Sequence, residues 1–145
     1  MKRDKDYYLS KVIALTVAEK RGAKVHTPGD VVGALEPYGY ADQECFVVVL
    51  LDGAQQIIDI KLITKGLVNR TLCHPREVFR PAIVARACAV VLAHNHPSGT
   101  MEPSREDDEA TKRIKDAGKV IGIEVLDHVI VGNGKYYSYK EQGRI

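Results

Sequence analysis

Two histidines one residue apart, His94 and His96, close an apolar run, and a carboxylate, Asp107, follows where a helix begins. Residues i and i+2 of a strand share a side, and Pro97 restricts His96 to extended backbone, so both imidazoles face one way at a strand end. Two imidazoles and one carboxylate supply three protein ligands and leave a fourth position for water. That is the donor set of a catalytic zinc site rather than a structural one. The same stretch has a plainer reading. Ser104 with Asp107 at the third helical position resembles a capping box with Asp in place of the usual Glu or Gln. The two readings are compatible, because a helix N-terminus also favours an ionised carboxylate.

A hydrolytic metal site needs more than ligands. It needs a base for the attacking water and a donor for the developing oxyanion. Glu44 heads an apolar run, where a carboxylate is costly unless it has a task or a partner. It is therefore a candidate base, and a solvated strand start is the alternative that the residues alone leave open.

The elements that must position these groups can be read in order. Leu9, Val12, Ile13, Thr16 and Val17 fall at helical spacing, so the chain is expected to be helical over about residues 6–21 and to stop at Gly22. A turn at Thr27-Pro28-Gly29-Asp30 leads to a short helix, Val31 to Leu35, broken at Pro37. Glu44 to Leu51 reads as a central strand covered on both faces, because its apolar run is continuous. Asp52-Gly53 signals a hairpin into a second strand over Gln56 to Lys65, with Gly66 as a bulge and the chain extended to Thr71. A helix opens at His74-Pro75 and runs to about Arg86. Pro81 either kinks it or marks its true first turn. Cys88 to Ala93 is a strand that delivers His94. The next helix starts at Ser104 and is expected to end at Gly118. Strands follow over Val120 to Leu126 and Val129 to Val131, then a hairpin at Asn133-Gly134 returns through Tyr136 to Tyr139. Alternating strands and helices make the class α/β with a mixed sheet.

A length of 145 residues suits a single domain with one core. The balance of 21 basic and 19 acidic residues, net +2, gives no push toward nucleic acid, and no direct nucleic-acid binding is expected. No run is long enough to span a membrane, and a secretory signal is rejected because Lys11, Glu19 and Lys20 bracket the short N-terminal apolar stretch. Cys45, Cys73 and Cys88 stand far apart with no Cys-x-x-Cys, which fits reduced thiols and a cytoplasmic protein. Cys45, beside Phe46 and Val47, reads as a core filler. A contiguous His94-Asn95-His96 does not match the dispersed letters of an HNH nuclease, and a zinc deaminase would need a Pro-Cys-x-x-Cys partner.

The order of His94-x-His96, Ser104 and Asp107, with Glu44 upstream on an early strand, resembles the JAMM (MPN-plus) metalloprotease motif. The closer resemblance is to the RadC family of bacterial proteins. It rests on Gln43-Glu44-Cys45-Phe46, Val49-Leu50-Leu51-Asp52, His74-Pro75-Arg76-Glu77-Val78-Phe79, His94-Asn95-His96-Pro97-Ser98-Gly99, Pro103-Ser104-x-x-Asp107, Thr111 and Asp127-His128. The match covers residues 26–145 and leaves residues 1–25 as an N-terminal helical extension. It implies a JAMM/MPN-like mixed β-sheet flanked by helices. It also implies zinc on His94, His96 and Asp107, with Glu44 as general base and acid and Ser104 stabilising the tetrahedral intermediate. The implied substrate is a peptide or protein, cleaved at a peptide or isopeptide amide by a zinc-activated water. The alternative is a non-catalytic module of the same fold associated with DNA repair or protein assembly. Two departures stand out. RadC proteins often carry an N-terminal helix-hairpin-helix region, where only a short helix precedes the domain here, and Asn95 stands where many JAMM peptidases carry Ser or Thr. Asp127-His128 is either an outer support for the metal ligands or a structural pair. The sequence does not fix the oligomeric state.

Overall fold

The computed structural model describes residues 5–66 and 74–145. The extension expected up to Thr71, and Cys73, lie outside the described residues. Helix α1 (Lys5–Lys20) is followed by α2 (Pro28–Leu35) and a 3₁₀ turn, Glu36–Tyr40. Strands β1 (Cys45–Leu51) and β2 (Ile57–Lys65) form the first hairpin. Then come α3 (Pro75–Val84), β3 (Ala89–Asn95), α4 (Arg105–Ile121), β4 (Glu124–Gly132) and β5 (Lys135–Ser138). The five strands form one sheet in the order β2-β1-β3-β4-β5. The β3–β4 pair is parallel and the other three are antiparallel, so the sheet is mixed.

The continuous apolar run of β1 is explained by cover on both faces. Val47, Val49 and Leu51 pack with Val31, Leu35 and Tyr38 under α2 and the 3₁₀ turn, and Leu9, Ile13 and Val17 of α1 lie against the same cluster. Phe46, Val48 and Leu50 face the other way, onto Val78, Phe79 and Ala82 of α3 and Ile114 of α4. Strand β3 obeys the same alternation. Val91 and Ala93 join the first cluster, while Val90 and Leu92 join the second. His94 therefore continues the face covered by α4, and Asn95 turns to the opposite one. Cys45 is buried in the first cluster, as expected of a core filler.

Three sequence expectations need correcting. Gly66 is not a bulge: it follows β2 with φ 72° and donates its N–H to the Glu44 carbonyl at 2.9 Å. The register irregularities of the hairpin lie at Phe46/Val47 and Leu50/Leu51 instead. Of the two readings left open for Pro81, the first-turn one falls away: Pro75 holds that place and Pro81 lies inside α3. Helix α4 does not end at Gly118 but continues to Ile121 and stops at Gly122, whose φ of 86° lets it cap in the left-handed region. Val120 and Ile121 are thus helical, and the two strands expected beyond them are the single strand β4. Gly118 is required for another reason. A Cβ there would stand 2.5 Å from the Ile123 carbonyl oxygen and 3.1 Å from Phe79 Cζ, so its bareness lets the chain fold back under the helix. Among the described residues no helix is long and apolar enough to cross a membrane.

Candidate metal centre

Strand β3 and the start of α4 bring the ligand candidates together. His94 is the penultimate residue of β3, and His96 follows the strand's end. A turn then forms in which Gly99, at φ 81°, donates its N–H to the His96 carbonyl at 2.9 Å. Ser104 is the N-cap of α4. Its Oγ accepts the Asp107 N–H at 3.1 Å, and its own N–H donates to Asp107 Oδ2 at 2.9 Å. This reciprocal cap aims the Asp107 carboxylate back toward the histidines. His94 Nε2 lies 2.9 Å from His96 Nε2 and 3.3 Å from Asp107 Oδ1, and His96 Nε2 lies 3.2 Å from Asp107 Oδ2. Glu44, half-buried just ahead of β1, completes a group of four side chains whose candidate ligand atoms all lie within 4.8 Å of one another.

The proton count at this centre decides what it can hold. The Thr100 carbonyl lies 2.7 Å from His96 Nδ1 and can only accept, so His96 carries its proton there. His94 Nδ1 lies 2.7 Å from His128 Nε2, and His128 Nδ1 lies 2.5 Å from the Thr111 hydroxyl. That hydroxyl donates to the Asp107 carbonyl at 2.7 Å. On a neutral His96 ring, the Nε2 that faces Asp107 is a lone pair. Two imidazole nitrogens and a carboxylate crowd a buried spot, with His94 and Asp107 each 2% exposed.

A proton shared between His96 and Asp107 is one way to satisfy them. Hydrogen bonding to Asp107 raises the His96 pKa above its ordinary value against the opposing effect of burial. Burial works against ionising Asp107, but its contacts with the His94 and His96 rings outweigh it and hold the carboxyl well below the usual carboxylate range. A metal cation is the other way, and this donor set fits one: three converging donors of nitrogen and oxygen.

The family model described as RadC-like JAB domain matches residues 25–144. The chain belongs to the RadC-like JAB domain family. Among its curated relatives, a UPF0758 protein of Rubrobacter xylanophilus is 54% identical over 133 residues, covering 90% of this chain and 58% of that protein. A UPF0758 protein of Symbiobacterium thermophilum is 55% identical over 100 residues, 69% of this chain and 43% of that one. A UPF0758 protein of Caldanaerobacter subterraneus subsp. tengcongensis is 49% identical over 120 residues, 82% of this chain and 52% of that one. The chain thus spans about half the length of the relatives it matches.

In this RadC-like domain the remaining motif residues divide by face. Asp127 and His128 are neighbours on β4 and point opposite ways. Asp127 accepts from the Ser138 hydroxyl at 2.6 Å and from the N–H groups of His128 and Lys140 at 2.7 and 3.0 Å, which ties β5 and the segment after it to β4. Burial still pushes its carboxyl above the ordinary value. His128 stands directly behind His94. Burial, and then repulsion from His94, push its pKa well below the usual imidazole range, so the ring is neutral. His74 caps α3 through its backbone and makes no side-chain cap bond. Two contributors carry no sequence signal strong enough to name them from spacing alone. Thr111 stands one helical turn beyond Asp107, a spacing that any helix supplies. The side chain of Asn95 accepts the Cys45 N–H and donates to the Gln43 carbonyl, a contact that exists only once β1 and β3 pair.

Proposed function

We propose that this chain is a zinc-dependent hydrolase that cleaves a peptide or isopeptide amide. The observation that carries the reading is the convergence of two imidazole nitrogens and the Asp107 carboxylate beside the carboxylate of Glu44. Ligands about 2.0–2.2 Å from a tetrahedral zinc stand about 3.3 Å from one another, and the separations here are 2.9, 3.2 and 3.3 Å. His94, His96 and Asp107 would hold the ion, which when bound polarises a carbonyl and lowers the pKa of a water to about 7. Glu44 takes up the proton of the attacking water and returns it to the leaving amine. The Ser104 hydroxyl, whose oxygen is occupied by the Asp107 N–H, keeps its own proton to donate to the oxyanion.

The substrate class rests on the motif resemblance to JAMM metalloproteases, so a peptide or protein is the proposed partner. Cysteine usage supports the cytoplasm as the compartment. The near-even charge supports the absence of direct nucleic-acid binding by this chain. A submicromolar affinity for DNA fragments that weakens steeply with salt would overturn that last point.

The test joins metal analysis to a peptide-library cleavage screen. His94→Ala should strip the zinc, while His26→Ala, in an exposed loop, should not. Gln keeps the size of Glu but cannot take up a proton at neutral pH. Glu44→Gln should therefore retain zinc and lose roughly 10²–10⁴ in hydrolysis. Lost zinc would make Glu44 a ligand, and unchanged turnover would remove it from the mechanism. A wild type that carries zinc but cleaves nothing would favour a non-catalytic module.

A further inference from the structure

We propose that His128 and Thr111 are positioning residues that dictate which ring nitrogen of His94 is offered to the metal. This inference rests on the reading of His94, His96 and Asp107 as metal ligands. An imidazole has two nitrogens, and the partner of one decides the state of the other. For His94 that decision is made at the far end of a line of three hydrogen bonds, where it cannot be reversed cheaply. The Thr111 hydroxyl donates to the Asp107 backbone carbonyl, 2.7 Å away. Its oxygen is then the acceptor for His128 Nδ1–H at 2.5 Å. A neutral ring protonated at Nδ1 is bare at Nε2, so His128 accepts from His94 Nδ1–H at 2.7 Å and His94 Nε2 is left as a lone pair.

The line holds because the middle ring is packed in place and cannot turn. His128 is 1% exposed. It stacks on Tyr139 at 5.0 Å between centroids, with 9° between planes, and meets Phe46 edge-on at 5.7 Å. The line also closes on itself. It begins at the ring of one ligand on β3, crosses β4, and ends on the backbone of another ligand, Asp107 on α4. Two ligands from separate elements are thus held in one relative position, which is what outer partners of metal-bound histidines accomplish elsewhere.

The test has two readouts besides catalysis. In the protein as purified, ¹⁵N NMR of the imidazole rings should find His128 protonated at Nδ1 alone and His94 protonated at Nδ1. A proton on His128 Nε2, or on His94 Nε2, overturns the proposal whether or not zinc is present. Zinc affinity, measured by competition with a chelating dye, should fall about 10–100-fold in Thr111→Val and in His128→Phe. Thr111→Ser, which keeps the hydroxyl, should restore it. Wild-type affinity in Thr111→Val would overturn the proposal, as would a loss that Thr111→Ser fails to restore. If the wild type binds no zinc at all, the metal reading fails, and the NMR of the wild-type rings alone decides this one.

Discussion

The side chain of Asn95 grips the backbone on both sides of Glu44: its Oδ1 accepts the Cys45 N–H at 2.6 Å and its Nδ2 donates to the Gln43 carbonyl at 3.0 Å. Phe46 pairs with His94 in the β1–β3 ladder, so Asn95 stands where the next rung would form and supplies it from a side chain. Gly66 holds the Glu44 carbonyl itself. Glu44 is thereby fixed at the end of a strand where backbone commonly frays. Asn95→Ala removes both grips and leaves a buried donor without its partner, at a cost of about 1–3 kcal/mol. Zinc content should hold, because none of the three ligands depends on this contact. Turnover should fall, since a misplacement of about 1 Å can cost roughly 10²-fold. Full turnover in a variant with a lowered melting temperature would mean that Asn95 serves the fold and not Glu44.

Ser104 carries two roles that one substitution can separate. Gly at an N-cap costs only a few tenths of a kcal/mol relative to Ser, whereas Ala costs about 0.5–2 kcal/mol. If the hydroxyl serves the oxyanion, both Ser104→Gly and Ser104→Ala should lose roughly 10²–10³ in turnover, and Ser104→Gly should do so with near-wild-type stability. If Ser104 is a cap alone, thermal unfolding should move in Ser104→Ala while turnover stays level in Ser104→Gly.

Gly118 sets helix propensity against packing. Ala is the better helix former by about 1 kcal/mol, so an exposed glycine in α4 would be improved by it. Here the added methyl meets the Ile123 carbonyl oxygen at 2.5 Å, and backbone must shift. Overpacking of this kind costs about 1–3 kcal/mol, so Gly118→Ala should lower the unfolding midpoint in denaturant. A stabilised variant would show that the approach of Ile123 to α4 relaxes freely.

The relation between sequence and structure follows the range of the forces involved. The β1 run, the two hairpins and the cap of α4 are local patterns, so their residues announce them. The gathering of His94, His96 and Asp107 was legible because a strand end and a helix start flank one short turn. Glu44 joins them across a strand pairing; its place at the head of an apolar run made it a candidate, and the family resemblance tied it to the histidines. The error at Gly118 has the same origin. A glycine late in a helical pattern looks like a stop, and only the fold-back of Ile123 reveals a close approach instead. The roles of Asn95 and Thr111 were out of reach for a related reason, and the choice between the two readings of His128 stayed open: each bonds a residue distant in sequence, and buried polar networks leave no periodicity.

The crowding of imidazole nitrogens around Asp107 leads to a prediction about protons. His96 has a pKa raised above its ordinary 6.5, chiefly by its hydrogen bond to Asp107. In chelated protein a group raised in this way adds stability that is fully present below the unfolded value and is lost as pH rises through the folded value. The Asp107 carboxyl is shifted the other way. Its contribution is present above the unfolded value and is lost as pH falls below it. As far as this pair decides, chelated protein should be more stable near pH 6 than near pH 8. Zinc needs the same His96 lone pair, so binding must expel the proton. Stabilisation by zinc should then grow over the interval in which the chelated protein weakens. Calorimetric titration with zinc in buffers of different ionisation enthalpy should show a proton released from the protein on binding near pH 6. Binding with no proton released near pH 6 would mean that His96 holds no proton in the chelated protein, and the contact with Asp107 would then be repelled rather than bridged.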